Sequence, residues 1–424
     1  MQVIADLHTH SRFARACSAQ ITIGTMASTA KSKGIGLLST GDILHPEWLK
    51  EVKRDLEDGG NGLSYPRNGD RSVAFVLGVE VCTISQHKGA AKKVHHCILL
   101  PRIESAEALA DALKRYGNMQ SDGRPILMMS SAELVEKLFS VEQNAFVFPA
   151  HAWTPYYGVL GSISGFNSIK DAYEDQEQRV HALETGLSSS PDMNWRVSAL
   201  DRYALVSGSD MHSLGNMGRE ACVFEMPAPS YNDMIKAIQD KDAGRFKRTV
   251  EFYPEEGKYH YDGHRECSFS VNPASGITRC GVCGKPLVIG VLHRVNDLAD
   301  RPVGFVPKNS IPFISSVPLS EVLAYVLRKT KYSVAVGEMY NKLVEAFGTE
   351  MNVLTEASAE SIREVANEDV AQAIENVRSG RIRMEPGYAG VYGKLDLLSR
   401  NRSTRGTIST RQRSLFDSDY RSDK

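Results

Sequence analysis

Short apolar runs alternate with amphipathic segments through the first half of the chain. Runs rich in β-branched and aliphatic residues predict strands at 3–7, 36–40, 73–81, 94–100, 145–150, 182–185, 204–207 and 221–225. Apolar residues at helical spacing predict helices at 25–32, 105–116, 130–139, 193–203 and 230–241. Ser130 and Glu133 have the spacing of a capping box, which marks the start of one of these helices. The alternation predicts an α/β fold with a parallel sheet, either doubly wound or closed as a barrel.

Residue types that bind metals stand where these apolar runs end. They are His8, His10, Asp42, Glu80, His151, Asp210 and His212, while His96 lies inside its run. A barrel gathers side chains from the carboxyl ends of several strands, whereas an open sheet concentrates its site at one switch point. The spread of these residues over several strand ends therefore favours a barrel.

The same residues predict the chemistry of the site. His8 and His10 lie two apart in a predicted strand, so their rings share a face. Mixed imidazole and carboxylate ligands suit Zn, Mn or Fe better than Mg or Ca. The candidates outnumber the ligands of one ion, so we expect two or three divalent metals. Asp6 is expected to orient a histidine rather than to bind a metal itself.

Composition and charge exclude some classes of function. The chain has 424 residues, of which 42% are hydrophobic and 24% charged, as in a globular protein of two or three domains. Its formal net charge is -1, so a nucleic-acid partner would have to be held by a local basic patch. The sequence contains no membrane-spanning apolar stretch, signal peptide or glycine-rich phosphate loop. We therefore expect a cytoplasmic protein with no membrane partner and no nucleotide cofactor.

Three of the seven cysteines fall in one short segment. Together with a histidine they have the spacing of a structural zinc site, in the order His264, Cys267, Cys280 and Cys283. His260 or His293 could take the place of His264, and three buried thiols are the alternative interpretation. A closed site with four protein ligands would fold a small module rather than catalyse a reaction.

Basic and aromatic side chains near both candidate sites suggest contact with DNA. The candidates are Arg12, Arg15, Lys285, Arg294, Tyr388, Tyr392 and Lys394. The cations could hold phosphates and the tyrosines could stack on bases. Alternatively, the arginines are solvated surface residues and the tyrosines pack the core of a small module.

The C-terminal segment has a composition of its own. Beyond residue 398 the chain is rich in Arg, Ser and Thr without an apolar period, which predicts a disordered basic tail. Within it, Gln412, Leu415 and Phe416 resemble the Gln-x-x-Leu-Phe peptide by which bacterial DNA enzymes dock on the sliding clamp. The resemblance implies the clamp as a partner.

Several motifs closely resemble those of the PHP (polymerase and histidinol phosphatase) domain. They are Asp6-Leu7-His8-Thr9-His10-Ser11, Gly78-Val79-Glu80, Ala150-His151 and Gly208-Ser209-Asp210-Met211-His212. The resemblance implies a distorted (β/α)7 barrel with a trinuclear metal site that hydrolyses phosphoesters. One metal would take His8, His10, Glu80 and Asp210. A second would share Glu80 and add His96 and His151, with His95 as the alternative to His96.

The third metal site of that family departs from its pattern here. It would use His212 and the residue after the second strand, where the family usually has a histidine preceded by aspartate. This chain has Gly41 and Asp42 at those positions, so a carboxylate replaces the imidazole. His45 could compensate.

Nearly the whole chain resembles the endonuclease Q family of bacterial type, most closely at 41–44, 259–264, 280–287 and 289–294. The resemblance implies an enzyme that repairs double-stranded DNA by cutting 5′ of deaminated bases (uracil, hypoxanthine, xanthine) and abasic sites. It implies hydrolysis by metal-activated hydroxide, with Asp210, His212, Glu80 and Asp42 as catalytic residues. The cofactors would be two or three divalent metals (Zn, Mn, Mg or Fe) and one structural Zn.

The domains expected from this resemblance are a PHP barrel (1–245), a zinc-binding module (246–310), a helical DNA-contacting domain (311–398) and the basic tail (399–424). Such an enzyme would associate with the nucleoid. Two other functions remain open from the residues alone. A PHP phosphatase acting on a small phosphomonoester would share the barrel ligands, and a non-catalytic, clamp-tethered DNA-binding protein would share the zinc module and tail.

Overall fold

The computed structural model describes residues 1–398. The strands of residues 1–251 are β1 (Gln2–Asp6), β2 (Leu37–Ser39), β3 (Leu56–Asp58), β4 (Ser64–Pro66), β5 (Ala74–His87), β6 (Ala90–Leu100), β7 (Ile126–Leu127), β8 (Phe146–Pro149), β9 (Ala182–Glu184), β10 (Ala204–Val206), β11 (Ala221–Glu225) and β12 (Phe246–Glu251). The helices among them are α1 (Ile23–Lys33), α2 (Pro46–Asp55), α3 (Ile103–Leu113), α4 (Ser131–Val141), α5 (Ile169–Tyr173), α6 (Pro191–Asn194) and α7 (Tyr231–Gln239).

The remaining described residues add mainly helices. Their elements are β13 (Asp262–His264), β14 (Phe269–Val271), α8 (Val291–Leu298), β15 (Phe313–Ser315), α9 (Leu319–Leu327), α10 (Val334–Phe347), α11 (Glu350–Thr355), α12 (Ala359–Val365), α13 (Glu368–Ser379), β16 (Arg383–Glu385) and β17 (Lys394–Asp396). None of the helices within residues 1–398 is long and apolar enough to cross a membrane.

A large mixed sheet forms the centre of the fold. Its strands run in the order β15-β12-β11-β1-β2-β5-β4-β3, with β6 pairing with β5 and β8. Among the described residues, strand β9 forms a ladder only with β10. Its end lies next to the end of β8, because Ala152 N–H donates to Glu184 O at 3.0 Å. Asp210 N–H donates to His8 O at 2.9 Å, which brings the segment after β10 to the end of β1. The α/β class is confirmed, and closure of these strands into a barrel remains a prediction.

The predicted elements match the structure unevenly. Strand β11 has the predicted bounds, and the Ser130–Glu133 capping box is formed at the start of α4. The predicted helix at 193–203 is wrong, because α6 starts at Pro191 and stops at Asn194. Helix α2 was missed because only Trp48 and Val52 are buried, which makes its apolar stripe too narrow to detect.

Strands β5 and β6 form a long hairpin whose register decides which side chains face inward. Paired residues of antiparallel strands share a face, and neighbours along a strand alternate between faces. Glu80 pairs with Cys97, and Cys82 pairs with His95. These four residues therefore lie on one face of the hairpin, and His96 lies on the other.

Helices α9 to α13 pack around a hydrophobic core of their own, and the contacts that tie this region to residues 1–251 include a strand pairing and a buried ion pair. Strand β12 pairs with β11 on one side and with β15 on the other, so residues on both sides of the predicted boundaries at 245 and 310 belong to one sheet. The second contact is a buried ion pair between Lys33 of α1 and Glu350 of α11, with Nζ and Oε2 at 2.6 Å. Glu350 also accepts hydrogen bonds from Tyr340 OH and Leu319 N–H.

We expect Lys33→Met to lower the free energy of unfolding by about 3 kcal/mol, because Glu350 would remain buried without a counter-charge. Urea unfolding measures this loss. Lys31→Met is the matched control: Lys31 lies on the same helix and its ion pair with Asp70 is exposed, so losing that pair should cost less than about 1 kcal/mol. Equal effects of the two substitutions would contradict the prediction.

Candidate metal centre

Two groups of ligand-type side chains meet at Glu80. Within each group the ligand atoms lie within 4.8 Å of one another: His8, His10, Glu80 and Asp210 form the first, and Glu80, His95 and His151 the second. Glu80 Oε2 lies 3.3 Å from His10 Nε2. Glu80 Oε1 lies 2.6 Å from His95 Nδ1 and 3.1 Å from His151 Nε2. One carboxylate thus turns one oxygen to each group, which is the arrangement of a ligand shared by two metals.

The first group fits a divalent metal. His8 Nε2 is buried and has no hydrogen-bond partner among the described residues. The same atom lies 3.7 Å from both Glu80 Oε2 and Asp210 Oδ1, so the unpaired nitrogen faces the two carboxylates. Imidazole nitrogens and carboxylate oxygens together suit Zn, Mn or Fe.

The outer nitrogens of three of these histidines are held by further side chains. His8 Nδ1 lies 2.9 Å from Glu184 Oε2, and His10 Nδ1 lies 3.0 Å from Asp42 Oδ1. His151 Nδ1 lies 2.9 Å from Thr154 Oγ1. Such partners fix ring orientation and tautomer, which leaves each Nε2 available inside the cluster.

The two carboxylates of the first group are held in their charged forms. Burial alone would raise the pKa of Glu80, but the charges of His95 and Arg124 outweigh it and hold this pKa well below its usual value. Arg124 Nη1 donates to Glu80 Oε2 at 3.1 Å. Burial likewise disfavours the charge of Asp210, yet its hydrogen bond with His10 contributes to a lowered pKa. Both groups are therefore ionised at neutral pH, as metal ligands must be.

Three residues of the cluster have backbone conformations that side chains normally avoid. Asp42, His151 and Asp210 have positive φ angles of 50°, 30° and 46°. For a residue other than glycine this conformation costs about 1–2 kcal/mol. Strain of this kind persists only where surrounding contacts enforce it, and it concentrates at functional sites.

The assignment of His96 to the metal site is wrong. Its Nε2 lies 2.9 Å from Thr83 Oγ1 and its Nδ1 lies 2.8 Å from Tyr173 OH, on the opposite face of the hairpin from Glu80. Burial lowers the pKa of His96 to about 3, so the ring is neutral. His95, the alternative left open by the sequence, takes the place expected of His96.

The structure also changes the roles predicted for Asp42 and Asp6. Asp42 accepts from His10 Nδ1 and, at 2.6 Å, from Ser11 N–H, so it orients a histidine instead of joining either ligand group. Asp6 does not orient a histidine by a hydrogen bond, because its carboxylate accepts from Ser209 and Gly218 N–H. These two bonds instead hold β1 against the segment after β10.

His212 lies beside the first group. Its ring centroid is 4.8 Å from that of His10, and its side chain is 30% exposed. His212 Nδ1 lies 2.9 Å from Asp210 O, and because a carbonyl can only accept, Nδ1 carries the proton. A lone pair on Nε2 is then available for a ligand. Among the described residues His212 joins none of the ligand groups, and the further group at this site is made of His8, Cys97 and Glu184.

The predicted zinc ligands come together. His264, Cys267, Cys280 and Cys283 form one group with ligand atoms within 4.8 Å of one another, and Cys283 Sγ lies 3.5 Å from His264 Nδ1. Burial raises the pKa of Cys280, but N–H groups of Cys283 and Val282 outweigh it and lower that pKa to about 7. The alternative ligands stand elsewhere: His293 Nδ1 bonds Asp262 Oδ2 at 2.5 Å, and His260 is buried outside the group.

Comparison with known proteins identifies the family. The crystal structure of the lesion-specific endonuclease PfuEndoQ from Pyrococcus furiosus is similar with a TM-score of 0.83 and 32% identity, covering 93% of this chain and 95% of that one. The chain belongs to the endonuclease Q family. This confirms the resemblance stated from the motifs and, with it, the expected class of enzyme, an endonuclease.

The chain is also similar to a second solved structure, to a bacterial protein and, over a shorter stretch, to a family model. A structure of Endonuclease Q with a 27-mer duplex substrate carrying an abasic lesion at the active site has a TM-score of 0.82 and 32% identity, over 93% of this chain and 96% of that one. The uncharacterized protein YqxK of Bacillus subtilis is 28% identical over 93% of this chain and 99% of its own length. Residues 318–381 match the family model of the MJ0043 C-terminal domain.

Glu184 and Arg124 of this endonuclease Q family member were not among the residues that the sequence pattern indicated. Glu184, which orients His8, ends strand β9 and follows the same strand-end pattern that identified the other candidates. The strand-end pattern could therefore have identified Glu184. Arg124 lies in a loop between α3 and β7 without a motif of its own, so only the fold reveals its contact with Glu80.

The structure shows what surrounds each candidate DNA-contacting residue. Arg294 is not free to bind phosphate, because its guanidinium donates to Leu160 O, Phe166 O and Asn167 Oδ1, and that assignment is wrong. Tyr388 is half-buried against Gly263, consistent with packing inside the small module. The roles of the other candidates stay predictions: Arg12, Arg15, Lys285, Tyr392 and Lys394 are exposed or half-exposed.

Two buried carboxylates lie behind Glu184. Glu251 Oε2 accepts from Thr185 Oγ1 at 2.8 Å and Glu220 Oε1 accepts from Phe252 N–H at 3.2 Å. Their other oxygens are buried without a hydrogen-bond partner among the described residues. Burial raises the pKa of Glu251 to about 7, and burial together with the neighbouring charge of Glu251 raises the pKa of Glu220 well above its usual value.

These raised pKa values predict a pH dependence of stability. The folded protein keeps protons that the unfolded glutamates have already lost, so the stabilisation is complete below about pH 4.5 and is lost as the pH rises through 7. Between pH 5 and pH 7.5 the parent protein should lose more unfolding free energy than the Glu251→Gln variant. The difference between the two losses should be on the order of 1–3 kcal/mol. Urea unfolding at both pH values tests this, with the exposed Glu345→Gln as control. An unchanged pH slope would refute the prediction.

For the Cys/His group we expect Cys283→Ser to lose one equivalent of bound zinc, because a serine hydroxyl is a poor ligand in place of a thiolate. Elemental analysis of purified protein measures the metal content. Thr278→Ala, in the same loop, keeps all four ligands and should keep the zinc. Full zinc content in the Cys283→Ser variant would argue against the site.

Proposed function

We propose that this protein is a DNA repair endonuclease that hydrolyses the phosphodiester bond 5′ of deaminated bases and abasic sites. The observation that carries the proposal is the position of Glu80, whose two oxygens each face a separate group of metal-ligand side chains. The similarity to a lesion-specific endonuclease, and to its family's complex with an abasic duplex, supports DNA as the substrate. Such an enzyme would act in the cytoplasm at the nucleoid.

The side chains divide the work between holding metals and handling the substrate. Divalent metals, when bound, lower the pKa of water and polarise a phosphodiester. His8, His10, Glu80, His95, His151 and Asp210 would hold them. Glu184, Asp42 and Thr154 keep the imidazole rings in place, so that little reorganisation is needed on binding.

Arg124 and His212 would act on the substrate itself. Arg124 brings a positive charge beside Glu80 and has further N–H donors with which to hold a phosphate oxygen. His212 carries its proton on Nδ1, which leaves Nε2 able to accept or return a proton at the edge of the site. Cleavage would leave a 3′-hydroxyl and a 5′-phosphate.

A sliding clamp remains a proposed partner. Gln412, Leu415 and Phe416, which carry the clamp-binding resemblance, lie outside the described residues. A peptide of this kind would tether the enzyme to newly replicated DNA and raise its local concentration there.

The proposed reaction is tested by a nicking assay. Duplexes carrying uracil, hypoxanthine, an abasic site or no lesion are incubated with the protein and Mg²⁺ or Mn²⁺, and the product ends are mapped. We expect one cut 5′ of each lesion, no cut in the intact duplex and no reaction with chelator. Turnover of a small phosphomonoester without any nicking would support the phosphatase alternative instead.

Asp210→Ala should abolish nicking while lesion-DNA binding stays within about threefold of the parent, because Asp210 contributes a ligand oxygen and its side chain is only 26% exposed. Nicking assays and fluorescence anisotropy measure the two quantities. Asp240→Ala, on the exposed surface after α7, is the matched control and should keep both. Full activity of a folded Asp210→Ala protein would overturn the assignment.

A further inference from the structure

A loop between β8 and α5, residues 154–167, presents two exposed tyrosines beside the metal centre, and we call it the tyrosine loop. The ring of Tyr157 stacks on that of His95 with centroids 4.5 Å apart and planes at 26°. Tyr156 meets Tyr259 edge to face at 6.2 Å. Tyr156 and Tyr157 are 46% and 38% exposed, although large aromatic side chains are usually mostly buried. Since His95 belongs to the second ligand group, the Tyr157 ring stands at the rim of the centre, and Tyr156 directly precedes it in the chain.

The backbone holds Tyr157 in an unfavourable conformation. Its φ angle is 66°, in the left-handed region that favours glycine. Tyr157 N–H donates to Ser164 Oγ at 2.9 Å, and Tyr157 O accepts from His95 N–H at 2.9 Å. The fold therefore keeps a tyrosine where glycine would be less strained, which points to a use for its side chain.

Arg294 of α8 holds the far end of the tyrosine loop. Its Nε donates to Leu160 O at 2.9 Å, and its Nη2 donates to Phe166 O at 2.9 Å and Asn167 Oδ1 at 2.8 Å. These three acceptors fix two separated turns of the loop at once. Helix α8 follows the Cys/His group directly in the chain, so that region is tied mechanically to the rim of the metal centre.

We propose that Tyr156 and Tyr157 form a stacking surface for the nucleotide beside the cleaved phosphate, and that Arg294 positions this surface. The inference rests on the proposed endonuclease function and names how that site holds its substrate. A nucleobase taken out of the helical stack offers a flat face, which tyrosine rings bind without regard to sequence. Tyr259, which meets Tyr156, follows Lys258 in the chain, and Lys258 Nζ lies 4.6 Å from the centroid of the Tyr392 ring.

The stacking is tested with 2-aminopurine, a base whose fluorescence is quenched when an aromatic ring stacks on it. It is placed next to an abasic site in a duplex, and cleavage is prevented by using the Asp210→Ala protein. We expect binding to quench the fluorescence severalfold, and Tyr156→Ala to remove most of this quenching. Tyr156→Phe, which keeps the ring, and Tyr332→Ala, which removes an 82% exposed tyrosine elsewhere, should leave it unchanged.

The same substitutions are then made in the active protein. Tyr156→Ala should slow single-turnover nicking by about tenfold, with the phenylalanine variant close to the parent. For Arg294, a positioning role predicts that Arg294→Met lowers quenching and nicking but adds little in combination with Tyr156→Ala. A merely structural role for Arg294 predicts additive losses instead. Thermal unfolding and zinc content confirm that each variant is folded.

The outcomes separate this inference from the function on which it rests. If the parent protein nicks lesion duplexes while Tyr156→Ala quenches and nicks as the parent does, the stacking surface is refuted and the endonuclease assignment stands. If the parent neither binds nor nicks such duplexes, both proposals fail. A third possibility is that the tyrosines serve only to cover His95. In that case Tyr157→Leu would change the metal content and Tyr156→Ala would leave the quenching unchanged. This result would also overturn the proposal.

Discussion

The carboxylate of Glu80 is the constraint on which the rest of the centre depends. It is almost completely buried, and a buried charge is costly unless other charges and hydrogen bonds compensate it. Compensation comes from Arg124 and from histidines of three segments: His10 faces one oxygen of Glu80, and His95 and His151 face the other. The register of the β5–β6 hairpin makes this possible. A slip of β6 by one residue would put His96 in place of His95 on the face that carries Glu80.

Around this carboxylate the fold builds a rigid frame before any metal is considered. Glu184, Asp42 and Thr154 hold the outer sides of three imidazoles, and positive φ angles at Asp42, His151 and Asp210 aim backbone and side chains into the cluster. The remaining regions are attached to the same frame. Strand β15 extends the sheet, the Lys33–Glu350 pair anchors the helices, and Arg294 joins α8 to the tyrosine loop. A substrate held by the later regions would therefore have a fixed relation to the metal centre.

Much of the candidate site could be predicted because local pattern carries the information. A ligand pair two residues apart in a strand, ligand-type residues at strand ends and closely spaced cysteines are visible in the chain itself, as His8 and His10 or Cys280 and Cys283 show. The failures have physical causes. His95 and His96 are adjacent, and no local pattern says which of them faces the metals, because the answer depends on pairing with a strand across the hairpin. Arg294 has the charge of a phosphate contact, yet its donors are used by a loop 127 to 134 residues away along the chain.

The sequence by itself determined the α/β class, the three cysteines of the Cys/His group and most of the residues at the metal centre. These follow from hydrophobic periodicity and from spacing, which act over a few residues. Only the tertiary structure decided that Asp42 and Glu184 orient histidines, that Arg124 balances Glu80 and that Arg294 holds a loop. Each of these roles is a contact between segments far apart in the chain. Such contacts form only when strand register and loop packing bring the segments together, and no short stretch of sequence contains that information.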